Sequence, residues 1–256
     1  MPPVHLIYYH FILLFFTGLA AGFVDSIAGG GGLVSLPVLL SVGLPPQVAL
    51  GTNKLQGSFG TLSAAYNFIK KGTITLNETR RGILFTLIGA VIGALAIQQI
   101  DAGFLNHLVP FLLLFVFIYT LFSKNPDQTR SKPMMSKNRF FLLFGLGLGF
   151  YDGFFGPGTG SFWTGSLLIV LGMDMTKAAG MTRITNFTSN IVALSIFISS
   201  RNVLYSAGLC MATGQVIGAR IGSSLAIKNG ARFIRPIFLL VVLATIIRLI
   251  YLNYFR

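Results

Sequence analysis

Long apolar runs constrain this chain more than any other feature. A helix crosses the hydrocarbon core of a bilayer with about 20 apolar residues. Eight runs approach or exceed that length, and they cover residues 6–27, 47–69, 81–99, 104–122, 139–155, 176–199, 203–225 and 233–252. Only 10% of the residues are charged, which is too few to form the polar surface of a water-soluble fold of 256 residues. The sequence therefore predicts an all-α polytopic membrane protein.

Two further apolar runs are shorter, and each follows a glycine-rich segment. Residues 33–44 and 161–172 hold 12 residues each, which is about 18 Å of helix. The segments before them, residues 29–32 (GGGG) and 156–160 (GPGTG), disfavour helix by about 1 kcal/mol for each Gly and about 3 kcal/mol for Pro. Unwound backbone inside a membrane must be surrounded by protein or water. We expect two short helices, either crossing fully or re-entrant, after two unwound segments.

The chain repeats itself across a polar divider. Residues 18–26 (GLAAGFVDS) match residues 145–153 (GLGLGFYDG) at an offset of 127, and residues 49–54 match residues 178–183 at an offset of 129. A third match, at an offset of 125, aligns GAVIGA from residue 89 with GQVIGA from residue 214. We expect a first transmembrane repeat at 1–123, a cytoplasmic linker at 124–137 and a second repeat at 138–256.

Basic residues predict how the two repeats are oriented. Twelve of the 19 Lys and Arg residues fall within residues 70–81, 123–139 and 226–235. Loops rich in Lys and Arg stay in the cytoplasm. All three loops lie inside only if the short run 161–172 counts as a crossing. Each half then has five crossings, which is an odd number, so the repeats are inverted and both termini lie outside.

Two of the cations within predicted spans lie deep in their helices. Lys54 and Arg183 each follow about seven residues of helix, at a depth where a cation costs at least about 2.5 kcal/mol unless it has a partner or faces a cavity. They occupy matching positions in the two repeats, on helix faces that also carry small and polar residues. Such stripes also permit close packing between helices. The retained positive charge favours an anion site shared by the two repeats.

Asp25 and Asp152 are the carboxylates inside the spans, and the repeat makes them equivalent. Three roles stay open: they neutralise Lys54 and Arg183, they carry protons, or they are paired catalytic aspartates. The last role requires a G-x-G-D motif that the sequence lacks. The two short helices are expected to start near Leu33 and near residue 161. Their N-terminal N–H groups are then directed at the space between Lys54 and Arg183, where they favour a bound anion.

The sequence contains no recognisable metal or cofactor site. Cysteine occurs once, at Cys210, and the three histidines are scattered near the ends of spans. Neither pattern provides the ligand spacing that metals require. Most basic residues lie in gaps between apolar runs rather than on a solvated face, which argues against a nucleic-acid partner. We expect no metal, no cofactor and no nucleic acid.

Several motifs resemble the sulfite exporter TauE/SafE family of bacterial membrane proteins. They are residues 22–32 (GFVDSIAGGGG), 45–54 (PPQVALGTNK), 156–158 (GPG) and 182–186 (TRITN). The resemblance covers nearly the whole chain, including the duplication. It implies a multi-pass permease of the bacterial plasma (inner) membrane for small sulfur-containing anions such as sulfite or organosulfonates, driven by an ion gradient. It does not choose among these substrates.

The sequence thus predicts a secondary transporter rather than an enzyme, with the anion bound at the midplane between the repeats. Protons are the candidate coupling ion. An anion channel is the alternative, and an intramembrane enzyme is a third hypothesis. Asp25 and Asp152 are predicted to form ion pairs or to couple transport to the ion. The predicted substrate-binding residues lie on two central helices and at the glycine breaks: Asn53, Lys54, Ser58, Thr182, Arg183, Asn186, Gly30, Gly31, Gly158 and Thr159.

Overall fold

A computed structural model describes residues 7–122 and 132–229. Those residues form nine helices: α1 (Tyr8–Ala28), α2 (Gly31–Ser41), α3 (Pro46–Lys70), α4 (Leu76–Gln98), α5 (Ala102–Phe122), α6 (Lys137–Phe154), α7 (Thr159–Leu171), α8 (Met175–Ser199) and α9 (Tyr205–Asn229). The predicted span 233–252 and most of the predicted linker 124–137 lie outside the described residues.

Each apolar run inside the described residues corresponds to one helix. Three segments are long and apolar enough to cross a membrane, judged by length and composition: Tyr8–Ile27, Leu76–Gln98 and Ala102–Tyr119. The two short runs correspond to α2 and α7, of 11 and 13 residues. The chain is therefore helical where the sequence predicts helix. The number of crossings and the inverted orientation stay predictions.

The central helices α3 and α8 carry most of the buried polar side chains among the described residues. They have 25 residues each and pack against one another, while α3 also packs on α9 and α8 on α4. Lys54 on α3 and Arg183 on α8 are among the largest fully buried side chains of the described residues. Charged groups in such positions require partners. The surrounding helices supply them.

Equivalent helices of the two halves make equivalent packing contacts. Helix α1 packs on α9, and α6, which is the counterpart of α1, packs on α4, which is the counterpart of α9. Within each half, the short helix packs on the helix before it and on the central helix after it. The halves therefore interlock through two equivalent helix pairs.

Small residues bring these helix pairs into backbone contact. A Cβ atom on Gly18 or Gly22 of α1 would collide with the backbone of α9, and a Cβ atom on Gly214 or Gly218 of α9 would collide with the backbone of α1. Glycines of α4 and α6 meet one another's backbones in the same way. In lipid, where apolar burial does not drive helices together, such close packing holds them in contact.

The first helix break is shorter than the sequence suggests. Gly29, with φ of 78°, and Gly30 separate α1 from α2, whereas Gly31 and Gly32 form the first turn of α2. The prediction that residues 29–32 all unwind is wrong for the last two glycines. First-turn amides have no partner within the helix, and the backbone N–H of Gly31 donates to Asp25 Oδ1 over 3.2 Å. That hydrogen bond lets the helix begin two residues earlier than Leu33.

The second break is held by glycine and proline. Helix α6 ends at Phe154, and α7 begins at Thr159, two residues before the expected start. Gly156 and Gly158 have φ of 102° and 82°, a region that glycine enters at little cost. The hydroxyl of Tyr151 donates to the backbone carbonyl of Pro157 over 2.7 Å. The break is therefore fixed by a hydrogen bond as well as by its sequence.

Candidate functional site

The two helix breaks meet each other. A Cβ atom on Gly29 would collide with the backbone of Gly160, and a Cβ atom on Gly32 would lie 3.0 Å from the Cα atom of Pro157. The unwound backbone of each half is therefore covered by the break of the other half. This arrangement satisfies the requirement that non-helical backbone be enclosed by protein, and it brings the groups around both breaks together.

Lys54 forms a buried ion pair with Asp152. The distance from Lys54 Nζ to Asp152 Oδ1 is 2.6 Å, and the two side chains are 1% and 4% exposed. Lys54 Nζ also donates to the backbone carbonyl of Asp152. The hydroxyl of Ser189 donates to the second carboxylate oxygen, Asp152 Oδ2. Both oxygens of this carboxylate therefore have donors.

Arg183 forms the equivalent pair with Asp25. The distance from Arg183 Nη1 to Asp25 Oδ2 is 3.1 Å, and the side chains are 0% and 13% exposed. Nη1 also donates to the backbone carbonyl of Asp25. The other terminal nitrogen, Nη2, has no hydrogen-bond partner among the described residues. This pair is thus less completely satisfied than the first.

Each ion pair joins the two halves. Asp25 lies on α1 and pairs with α8, whereas Asp152 lies on α6 and pairs with α3. Both aspartates lie in the last turn of a broken helix, where backbone carbonyls lack partners and cations are favoured. Of the three roles left open for the aspartates, charge neutralisation is the one visible in the described residues. The two ion pairs therefore occupy equivalent positions in the two halves.

The carboxylate of Asp25 occupies the place expected for a bound anion. It lies between the Arg183 guanidinium and the N–H of Gly31 at the start of α2. A helix N-terminus carries roughly half a positive charge and favours anions. One of the protein's own carboxylates therefore lies at two of the donors predicted from the sequence to bind an anion.

A polar cavity of about 30 Å³ lies beside the ion pairs. It has room for about two water molecules. Six of the residues predicted from the sequence line it: Asp25, Asn53, Lys54, Asp152, Gly158 and Asn186. Other lining residues include Gln56, Gly57, Asn190 and Gln215, so both halves contribute to the wall.

Six other predicted residues do not line this cavity: Arg183, Gly30, Gly31, Ser58, Thr159 and Thr182. The Ser58 hydroxyl donates to the Lys54 carbonyl over 2.7 Å, and the Thr159 hydroxyl donates to the Gly156 carbonyl over 2.6 Å. Thr182 lies 3.1 Å from the hydroxyl of Thr164 and so links α8 to α7. Their contact with substrate stays a prediction.

Two glutamines that line the cavity, Gln56 and Gln215, were not among the predicted site residues. Gln56 lies outside the polar stripe that carries Lys54, although its amide donates to Asn53 Oδ1 over 2.7 Å. Gln215 lies inside GQVIGA, where the first half has GAVIGA. A buried amide within an apolar span is rare and usually functional. The presence of Gln215 where the first half has Ala90 could therefore have indicated a site residue.

Within the part of the chain that the structure describes, no group of three or more His, Cys, Asp and Glu residues lies close enough to hold a metal ion. Lys177 and Glu78 form an exposed ion pair of 3.1 Å between α8 and α4. Exposed pairs of this kind contribute at most about 1 kcal/mol. The buried charges that demand a functional explanation are therefore the two cross-half pairs.

The chain belongs to the sulfite exporter TauE/SafE family, because the family model matches residues 14–249. It is 38% identical over 239 residues to a probable membrane transporter protein of Haemophilus influenzae, with 93% of this chain and 94% of that protein covered. It is also 38% identical to the probable membrane transporter protein YfcA of Escherichia coli strain K12, with 93% and 89% covered.

A more distant relative is the probable membrane transporter protein YdhB of Bacillus subtilis. It is 26% identical over 224 residues, with 83% of this chain and 87% of that protein covered. No solved structure matches the chain significantly. The chain is therefore a membrane protein of a transporter family.

Proposed function

We propose that this protein is a secondary transporter of small sulfur-containing anions in the bacterial inner membrane. The family name, sulfite exporter, supports the substrate class, and the names of the relatives support transport. The observation that carries the proposal is the polar cavity beside two ion pairs, each of which joins one half to the other. The two helix breaks meet at this place. Inverted-repeat transporters bind substrate at such midplane sites.

The proposal includes two inverted repeats of five crossings, residues 1–123 and 138–256, joined by a cytoplasmic linker at 124–137. The equivalent packing of α1 on α9 and of α6 on α4 supports it. A cavity lined by both halves opens alternately to each side of the membrane when the halves rock against one another. We further propose that an ion gradient drives transport, with protons as the coupling ion.

Anion binding requires Asp152 to release Lys54. The Lys54 ammonium already contacts a carboxylate, and a second anion beside it would leave an excess of negative charge in a buried site, which is strongly unfavourable. Protonation of Asp152 removes its negative charge and frees Lys54 for the oxyanion. A proton and an anion therefore enter the site together. Asp25 and Arg183 act in the same way in the other half.

The test is flux of sulfite into liposomes that contain the purified protein. We expect saturable uptake that accelerates when a proton gradient is imposed and returns to the rate without a gradient when a protonophore is added. The matched control is Lys54→Gln/Asp152→Asn, which removes both charges and should transport no better than protein-free liposomes. Absence of sulfite flux would reject the proposal. Flux that rises linearly with concentration would favour a channel.

A further inference from the structure

Three buried amide oxygens at the cavity have no partner. They are Gln56 Oε1, Asn186 Oδ1 and Gln215 Oε1, and no hydrogen-bond donor reaches them from the described residues. Their side chains are at most 4% exposed, and all three residues line the cavity. They come from α3, α8 and α9, so both halves contribute. Buried acceptors without donors are rare in folded proteins.

The remaining charged groups limit what can donate to these oxygens. Lys54 is the cation that lines the cavity, and its ammonium opposes binding of a metal cation beside it. Asp25 and Asp152 are already engaged in ion pairs. Buried amide oxygens without a protein donor require a donor from water or from a ligand. A ligand that replaces water there must bring both negative charge for Lys54 and a hydrogen-bond donor for an amide oxygen.

The three amides are also positions at which the halves differ. At the repeat offsets, Gln56 corresponds to Thr185 and Asn186 corresponds to Gly57, while Gln215 corresponds to Ala90. The aspartates and the cations, by contrast, are kept in both halves. The charged framework is therefore duplicated, whereas the amides form an asymmetric wall. An asymmetric wall fits a ligand whose two ends differ chemically.

We propose that the site selects a monoanion that carries its own hydrogen-bond donor, with hydrogen sulfite as the sulfur anion that fits. This inference rests on the proposed transport function. The unprotonated oxygens of the anion accept from Lys54, and its O–H donates to an amide oxygen of the wall. Sulfite dianion and sulfonates without a donor leave that amide oxygen unpaired. Selection of this kind is strong because a buried polar group then loses its water without a replacement.

Sulfamate and methanesulfonate provide a matched pair of probes. Both carry a single negative charge near neutral pH and are nearly equal in size, but sulfamate has an NH₂ group where methanesulfonate has a methyl group. We expect the purified protein to bind sulfamate about tenfold more tightly than methanesulfonate, measured by titration calorimetry at constant pH. Gln215→Met and Gln56→Met, tested separately, should each reduce this preference at least severalfold.

The control variant is Gln47→Met. Gln47 lies on α3, as Gln56 does, but its amide donates to the Ile100 carbonyl over 3.1 Å and it does not line the cavity. It should keep the full preference for sulfamate. Equal binding of the two probes, or tighter binding of methanesulfonate, would overturn the inference while leaving anion transport intact. Binding of neither probe would overturn both, and loss of the preference in Gln47→Met would overturn the role of the amides.

Discussion

Replacing Lys54 with methionine is expected to destabilise the protein by about 3–5 kcal/mol, because it leaves the carboxylate of Asp152 buried without its partner. The double variant Lys54→Met/Asp152→Leu should unfold close to the wild-type temperature, since exchanging a buried ion pair for apolar side chains of similar volume is often neutral. The measurement is the thermal unfolding midpoint in detergent. Lys71→Met, at an exposed position after α3, is the control and should change little.

The double variant also separates folding from function. It should be stable and yet fail to transport sulfite, because the cation that receives the anion is gone. A double variant as unstable as the single variant would mean that the ion pair itself holds the helices together. A stable double variant with normal transport would show that Lys54 and Asp152 have a purely structural role.

Gly29→Ala should be the most damaging single glycine substitution at the breaks. Gly29 has φ of 78°, and a Cβ atom there would also collide with the backbone of Gly160. Gly72 is the matched control, because it has φ of 68° but nothing within 4 Å of its Cβ position. Both alanines cost about 1–2 kcal/mol from backbone conformation. The additional loss in Gly29→Ala therefore measures the contact between the two breaks.

The outcome is read from thermal unfolding and from sulfite flux together. Gly72→Ala should lose a little stability and keep its flux. Gly29→Ala should lose more stability and most of its flux, because the alanine pushes α7 away from the first break. Equal effects of the two substitutions would contradict the close contact of the breaks. Normal flux in Gly29→Ala would separate that contact from transport.

The positions of the helices followed from the sequence because apolar length and glycine content are local properties. The internal repeat was equally visible, since matching residues keep nearly constant offsets. The first break was overestimated because the capping of Gly31 depends on the Asp25 side chain, and one-residue propensities for glycine omit such contacts. The helix therefore begins inside the glycine run.

The partners of the buried charges did not follow from the sequence. The repeat makes Asp25 equivalent to Asp152, and Lys54 equivalent to Arg183, but equivalence does not say whether each pair forms within a half or between halves. That choice depends on how α1 packs on α9 and α6 on α4, which is a tertiary property. The amide of Gln215 was missed for the same reason, since its helix position alone does not indicate the cavity.

The ion pairs suggest how one site serves both binding and coupling. In each half a carboxylate of the protein rests on the groups that attract an oxyanion, so the charges are balanced before substrate arrives. Under the proposed function, the substrate would replace the carboxylate of the protein rather than enter an empty positive site. Anion binding would then require loss of the carboxylate's charge, which is how we propose that transport is coupled to protons.

The most direct test of this competition is the affinity of Asp152→Asn for sulfamate, which carries a single negative charge near neutral pH. Asparagine has nearly the same shape as aspartate but no charge to hold Lys54. We predict that Asp152→Asn binds sulfamate at least severalfold more tightly than the wild type, measured by titration calorimetry at constant pH. Asp174→Asn, which keeps an N-cap side chain at the start of α8, should bind sulfamate as the wild type does. Binding by Asp152→Asn that is equal to or weaker than that of the wild type would contradict the competition between Asp152 and the substrate.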